Sequence, residues 1–440
     1  MIQVTIEKNR EEISFDIDTN FRTAILGENG IGKTSILEEV AFGTSKNDWL
    51  SVYTPERIKV AYLSQTEVNS GLISGGEHMK KRLENLFFEK ADLYVLDEPT
   101  NNLDEGNIAW LKKYIIENKL PIIFTSHNID FIDDCAEVIF YLDSKGVEKT
   151  KEKCSLYLVS RKKKIEREFL LYELAVKKQT ELRDAARKAK QHSEAGTKWK
   201  GTDNDKYLRG FNRNSAGKGA ATARILEERA EKMEVEKPKH DPLPKAVLLG
   251  SGSSGNLFNL FTTTLSQKRI GLIVNNGDKI LIIGKNGIGK TTLLTYLVTL
   301  LSNKSLKEGD IFNRGCNFSY YYVSQNWYEN LNDQIVGEYL KNFGLNEAET
   351  YRSASFNHID KSILNKKFKD ISPGIRIKIL LGALSCKKFD LIIWDEPTNH
   401  LDVMTQYILR DAFIKYDGAL ILVSHDRLFL NESSFTRVTL

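Results

Sequence analysis

Apolar residues fall in short, unbroken runs, and each run leads into a segment that recurs later in the chain. Thr23–Leu26 and Lys279–Ile283 each end in a glycine-rich loop. Leu93–Leu96 and Leu391–Trp394 end at Asp-Glu, and Pro121–Thr125 and Ala419–Val423 end at Ser-His. Short runs without polar alternation read as strands buried on both faces of a parallel sheet. Helix formers come after both glycine loops, so an α/β fold of alternating strands and helices is expected. Residues 1–10 alternate apolar and polar, as a half-buried strand does.

The middle of the chain has a different period. From Arg161 to about Lys190 there is no Gly or Pro, and Ile165, Phe169, Tyr172 and Val176 are spaced 4, 3 and 4. That is one face of a helix, about 45 Å long at 1.5 Å per residue. Gln191–Gly219 reads as a loop, and a second helix is expected from about Ala220 to Val235, striped by Leu226, Ala230 and Met233. Pro238, Pro242 and Pro244 close it. The expectation is a helical hairpin with a loop at its tip.

The recurring segments form an internal repeat. GENGIGKT at Gly27–Thr34 returns as GKNGIGKT at Gly284–Thr291, and LSQ at Leu63–Gln65 as VSQ at Val323–Gln325. LDEPTNNLD at Leu96–Asp104 returns as WDEPTNHLD at Trp394–Asp402, and TSHNIDFI at Thr125–Ile132 as VSHDRLFL at Val423–Leu430. The offset is 257 positions at Lys33/Lys290, 260 at Gln65/Gln325 and 298 at Asp97/Asp395 and His127/His425. The second copy therefore carries 298 − 260 = 38 extra residues between its glutamine and its Asp-Glu. Two homologous domains are expected, 1–157 and 241–440, the first with a shortened subdomain, joined by a linker at 158–240.

Charge sharpens this division. The net charge of +4 hides 22 Lys/Arg against 13 Asp/Glu between Arg161 and Lys239, or +9, leaving −5 elsewhere. A basic middle between mildly acidic ends points to an anionic partner for the linker. No apolar run is long enough to cross a bilayer, and the start of the chain lacks a basic-then-apolar leader. Cys135, Cys154, Cys316 and Cys386 lie far apart, which fits a reducing cytoplasm without disulfides or a zinc site.

G-x-x-x-x-G-K-T between a strand and a helix is a phosphate loop, in which backbone N–H groups and a helix N-terminus cradle phosphates. The residues expected to hold ATP are Gly27, Asn29, Gly30, Gly32, Lys33, Thr34 and Ser35 in the first domain. Their counterparts are Gly284, Asn286, Gly287, Gly289, Lys290, Thr291 and Thr292. Lys33 and Lys290 should reach the β- and γ-phosphates. Thr34, Thr291, Asp97 and Asp395 should hold Mg²⁺, with Gln65 and Gln325 sensing metal and water. Glu98 and Glu396 are placed to orient the attacking water, and His127 and His425 to bond the γ-phosphate and that glutamate. Adenine is expected to stack on an aromatic upstream of each loop, with Phe15, Phe258 and Phe261 as candidates.

ISGGEHMK at Ile73–Lys80 resembles the LSGGE signature of ATP-binding cassettes. Ser74, Gly75, Gly76 and Glu77 carry it, and the matching segment ISPGIRIK keeps Ser372 and Gly374 but replaces other positions with Pro373 and Ile375. In that superfamily the domains pair head to tail, so each signature faces the other domain's phosphate loop. The resemblance thus implies intramolecular pairing in a monomer and unequal sites. The first domain's site would contact the γ-phosphate less well, because Pro373 lacks an N–H.

Two cassettes, no membrane segment and a basic hairpin together resemble the ABC-F family of translation factors, most of all its antibiotic-resistance members of the Vga, Lsa and Msr type. TDNDKYLRGFNRNSAGKGAATAR at Thr202–Arg224 is similar to the Lsa-type linker, and the short Gln65–Ser74 gap to the first cassette of Vga-type proteins. The resemblance implies a cytoplasmic ATPase bound to the 70S ribosome, its 23S rRNA and P-site tRNA, rather than to membrane or DNA. It also implies protection of the peptidyl transferase centre from lincosamides, pleuromutilins and streptogramin A. Candidate RNA contacts at the hairpin tip are Lys198, Trp199, Lys200, Lys206, Tyr207, Arg209, Phe211 and Arg213, cations interleaved with aromatics. The second hairpin helix is expected to be shorter than is usual in the family. A general factor for stalled ribosomes and the ATPase module of a transporter are the competing readings.

Overall fold

The computed structural model describes residues 1–8, 11–43, 48–54, 58–64, 75–101, 103–143, 145–198, 206–233, 235–240, 243, 247–251, 255–263, 268–285, 287–302, 306–356, 359–398, 401–424, 426–430 and 432–440. The chain divides into two compact units, Met1–Val159 with Pro244–Leu440, and Ser160–Leu243. The first unit holds both cassettes.

In the first cassette, β1 (Ile2–Lys8) pairs antiparallel with β2 (Glu11–Ile17). The chain then enters β3 (Thr23–Gly27) and α1 (Lys33–Phe42). β4 (Leu50–Tyr53) returns to pair with β1, and β5 (Val60–Leu63) joins the main sheet. Next come α2 (Gly75–Phe88), β6 (Leu93–Asp97), α3 (Glu105–Glu117), β7 (Ile122–Thr125) and α4 (Ile129–Cys135), then the hairpin of β8 (Val138–Asp143) and β9 (Gly146–Thr150). The main sheet runs β5-β6-β7-β3-β8-β9 and is parallel up to β8.

α5 (Cys154–Lys198) and α6 (Lys206–Lys232) make the second unit's hairpin. The second cassette then opens with β10 (Leu249–Gly250), β11 (Asn256–Thr263), β12 (Arg269–Asn275), β13 (Lys279–Ile283) and α7 (Lys290–Leu301). β14 (Ile311–Arg314) and β15 (Tyr320–Val323) precede α8 (Val336–Asn342), α9 (Glu347–Phe356) and α10 (Pro373–Ser385). β16 (Lys388–Phe389), β17 (Leu391–Asp395), α11 (Val403–Lys415), β18 (Ala419–Val423), α12 (Arg427–Leu430) and β19 (Thr436–Thr439) complete it. Its parallel sheet runs β15-β17-β18-β13-β19. Successive residues of β17 and β18 point into two different cores: Ile393 and Ile421 into one, Trp394 and Leu422 into the other. Burial on both faces is the physical reason these strands read as continuous apolar runs.

α8, α9 and α10 share a separate small core around Val336, Leu340, Phe368, Ile379 and Ala383. α8 and α9 lie within the interval where the second copy is longer.

The hairpin departs from the expected one. α5 begins seven residues earlier than Arg161 and runs to Lys198, a 45-residue helix about 68 Å long at 1.5 Å per residue. α6 has 27 residues and starts at Lys206, inside the expected loop, so the second helix is longer than the span expected from about Ala220 to Val235. Lys198, Lys206, Tyr207, Arg209, Phe211 and Arg213 therefore stand on helices rather than in a loop, while Trp199 and Lys200 lie outside the described residues. Glycine in a helix costs only about 1 kcal/mol against alanine, and here it has a packing use. A Cβ on Gly219 would stand 3.4 Å from the Ala189 carbonyl and from Ser193 Cβ. Ala186, Ala223 and Ala230 are buried along the same seam, which is why the small residues lie there. The α5 stripe is also shifted: Ile165 is buried, but Val176 is exposed. Gln179 Nε2 donates to the Ala230 carbonyl at 3.0 Å, and His240 Nδ1 lies 2.9 Å from Glu168 Oε2.

Candidate nucleotide-binding cleft

Both phosphate loops take the backbone path their glycines permit. Gly30 and Gly32 have φ of 80° and 106°, and Gly287 and Gly289 have 78° and 102°. Side chains rarely adopt these angles. Gly32 and Gly289 occupy the N-cap positions of α1 and α7. Lys33 Nζ donates to the Gly27 and Glu28 carbonyls, both at 2.9 Å, and Lys290 Nζ to those of Gly284 and Lys285 at 2.9 and 3.2 Å. The two lysines thus curl back onto their own loops, with one ammonium proton each beyond these two bonds. Burial lowers the Lys33 pKa, opposed chiefly by Glu98 and by Asp402 of the other cassette. Burial lowers that of Lys290 too, opposed by Glu396 and Asp395.

The strand ends carry the carboxylates. Asp97 ends β6 and Asp395 ends β17. Thr125 Oγ1 on β7 donates to Asp97 Oδ1 at 2.6 Å. The position matching Thr125 is Val423, which has no hydroxyl. Asp97 Oδ2 and both oxygens of Asp395 are buried with no hydrogen-bond partner among the described residues. Burial raises the Asp395 pKa, opposed by the nearby Thr291 hydroxyl and Lys290. Acceptor oxygens left open in a buried site fit a hard divalent cation such as Mg²⁺.

Glu98 and Glu396 both have left-handed backbones, with φ of 51° and 49°. Non-glycine residues there cost of order 1–3 kcal/mol and cluster at functional sites. The turn aims each carboxyl from the end of its strand. Glu98 Oε1 lies 3.1 Å from His127 Nε2, and Oε2 accepts from the His127 backbone N–H at 3.1 Å. Glu98 is 3% exposed, and burial pushes its pKa up to about 8 against the opposing pull of Lys33. Glu396 is half-buried, and its N–H donates to the Val423 carbonyl at 2.9 Å.

One cleft of ≈ 980 Å³ is lined by both loops. It brings together Asn29, Gly30, Gly32, Lys33, Thr34 and Ser35 with Gly287, Gly289, Lys290, Thr291 and Thr292. Asp97, Glu98, His127, Gln325, Asp395 and Glu396 also face it. The cleft does not include Ser372 or Gly374. Ser372 is exposed at the N-cap of α10, with Pro373 at the first helical position. Thr398 and Gln406 of the second cassette line the cleft, and Asp402, which caps α11 by accepting from Thr405 N–H at 2.9 Å, acts on Lys33. Gly75 and Gly76 open α2, and Glu77 is in its first turn. Gln65, Ser74, Asn286 and His425 lie outside the described residues.

None of the three aromatics proposed for adenine lines the cleft. Phe258 is fully buried, Phe15 packs on Phe140 with ring centroids 5.0 Å apart, and Phe261 lies over Gly271. The aromatic that does line it is Trp49, just before β4. A search restricted to residues upstream of the loop passes over it.

The family whose pattern matches residues 267–399 is described as ABC transporter. The chain is 27% identical to ribosome protection protein VmlR of Bacillus subtilis (strain 168), over 94% of this chain and 81% of that one. It is 30% identical to ABC transporter F family member 5 of Arabidopsis thaliana, over 82% of this chain but only 50% of the plant protein. The chain thus spans about half the length of that relative. Among solved structures, the RNase-L Inhibitor matches 95% of this chain and 83% of its own, with a TM-score of 0.54 at 14% identity, a likeness of fold. With two phosphate loops lining one cleft and this similarity across nearly the whole chain, the protein is similar to ATP-binding-cassette proteins of the F family.

Proposed function

We propose that the chain is a cytoplasmic, ribosome-associated ATPase that protects the ribosome from antibiotics acting at the peptidyl transferase centre. The observation that carries this is the hairpin: 45- and 27-residue helices with a charge excess of +9, in a chain with two phosphate loops. A long cationic rod suits an anionic polymer, since each Lys or Arg near a phosphate releases a counterion. VmlR, similar over 94% of the chain, is itself called a ribosome protection protein.

In this reading Lys33 and Lys290 turn from their loop carbonyls to the phosphates of bound ATP. Mg²⁺, when bound by Asp97, Asp395, Thr34 and Thr291, would screen phosphate charge. Glu98 and Glu396 orient the attacking water as carboxylates, and His127 holds Glu98 in place. ATP draws the cassettes together so that Ser372 approaches the first loop and Ser74 the second. The closed form binds the ribosome, the hairpin reaches 23S rRNA beside P-site tRNA, and hydrolysis releases it. Lincosamides, pleuromutilins and streptogramin A are the drugs displaced.

The test is co-sedimentation of a Glu98→Gln/Glu396→Gln chain with 70S ribosomes. Strong enrichment with Mg·ATP over nucleotide-free protein is expected, along with raised resistance to these drugs in cells expressing the wild type. Equal pelleting with and without ATP sinks the proposal.

A further inference from the structure

Trp49 stands where the cleft lacks any other aromatic among the described residues that line it. Three observations fix its place. It lines the same cleft as Lys33, Thr34 and Ser35. Its indole lies on the phosphate loop itself: a Cβ built on Gly32 would meet Trp49 Cη2 at 2.5 Å. Its carbonyl accepts from the Glu7 N–H at 2.8 Å, which ties it to the end of the antiparallel sheet at β1. The ring is only half-buried. A large, partly exposed indole beside a polar phosphate site has apolar area to cover, and a flat heterocycle covers it with favourable stacking.

The second cassette has no such group at this position. Val4 pairs with Val52 and Leu260 with Phe312; Val4 and Leu260 each stand two residues after the partner of Ile17 and of Val274 respectively, so the two pairs are equivalent. Trp49 stands three residues before Val52, and the residue three before Phe312 is Gly309, so the counterpart of Trp49 has no side chain.

We propose that Trp49 is the base-stacking residue of the first nucleotide site, holding the adenine of the ATP whose phosphates sit on Lys33, and that the second site, with Gly309 at that position, has no equivalent. This rests on the reading of the cleft as an ATP site. It adds an aromatic platform delivered from the segment after α1, on one side of the molecule only.

The experiment uses full-length protein carrying Lys290→Ala, so that binding reports the first loop. Calorimetric titrations with Mg·ATP and with magnesium tripolyphosphate, which has no base, are compared with and without Trp49→Ala. Loss of stacking should weaken ATP roughly 5- to 100-fold and leave tripolyphosphate unchanged, and Trp49→Phe should recover most of the loss. Equal weakening of both ligands means that Trp49 merely supports the loop, and overturns the proposal, as does no change in either. If the Lys290→Ala chain binds tripolyphosphate but no ATP, the ATP-site reading fails first. Should Trp49→Ala not fold, tryptophan emission decides. A change with ATP but not tripolyphosphate must disappear in Trp49→Phe, and its persistence overturns the proposal.

Discussion

The first and second cassettes share a glycine loop, an Asp-Glu strand end and a left-handed glutamate, yet they hold their carboxylates differently. In the first, Thr125 bonds Asp97, and His127 brackets Glu98 from side chain and backbone. In the second, Val423 replaces the threonine, and Asp395 keeps both oxygens without a hydrogen-bond partner among the described residues. One residue on the neighbouring strand changes the electrostatics of a site whose motif letters are the same. The second cassette also carries a separately cored helical subdomain ending in α10, and its signature position is a proline. Shared motifs therefore do not imply shared rates.

The strongest way to break this comparison is to remove each glutamate in turn. Glu396→Gln should cut ATP turnover about a hundredfold or more, as loss of a group that positions and activates water does. Glu98→Gln should cost far less, because in the proposed ATP-closed form its site meets the proline-containing signature. Equal losses in steady-state turnover would erase the asymmetry.

Next comes pH. In a Glu396→Gln chain, residual turnover belongs to Glu98, which works as a carboxylate. With its pKa pushed up to about 8, the active form is the minority below that pH. Turnover should therefore rise with pH, by up to about tenfold per unit, and level off above about 8. A flat profile from about pH 6 to 9 would show that Glu98 is already ionised.

Thr125→Val and Val423→Thr exchange the strand residue. The first removes a hydrogen bond to a buried carboxylate and should cost about 2 kcal/mol in urea unfolding. The second gives Asp395 a donor and should move stability by less than about 1 kcal/mol, since the new bond offsets burial of the hydroxyl.

Helix caps give the finest contrast. Asp402 accepts from both the N–H and the hydroxyl of Thr405, whereas Asp104 has the one cap bond to Asn107 N–H at 2.9 Å. Asp402→Ala should cost about 2 kcal/mol and Asp104→Ala about 1 kcal/mol by thermal melting.

The sheets were legible in the sequence because a strand covered on both faces must be apolar throughout, as Leu391–Trp394 is. The phosphate loops were legible because only glycine takes those angles cheaply. The hairpin's far part was misread for a physical reason. Gly219 and its neighbours carry the composition of a loop, but small residues are also what two helices in close contact require. Trp49 escaped notice because adjacency to Gly32 arises through the β1–β4 pairing, a contact that the order of residues does not display. Why Asp402 rather than Ser372 lies close to Lys33 depends on how the cassettes meet, and no local motif encodes that.

The close seam of the hairpin has a mechanical consequence. Where Gly219 and Ala223 let two backbones touch, bending either helix must slide it along its interlocked neighbour. Two rods joined along their length resist flexing more than the same rods apart. Over the span where α5 and α6 run side by side, the hairpin is a stiff lever, able to pass a push along its length without crumpling.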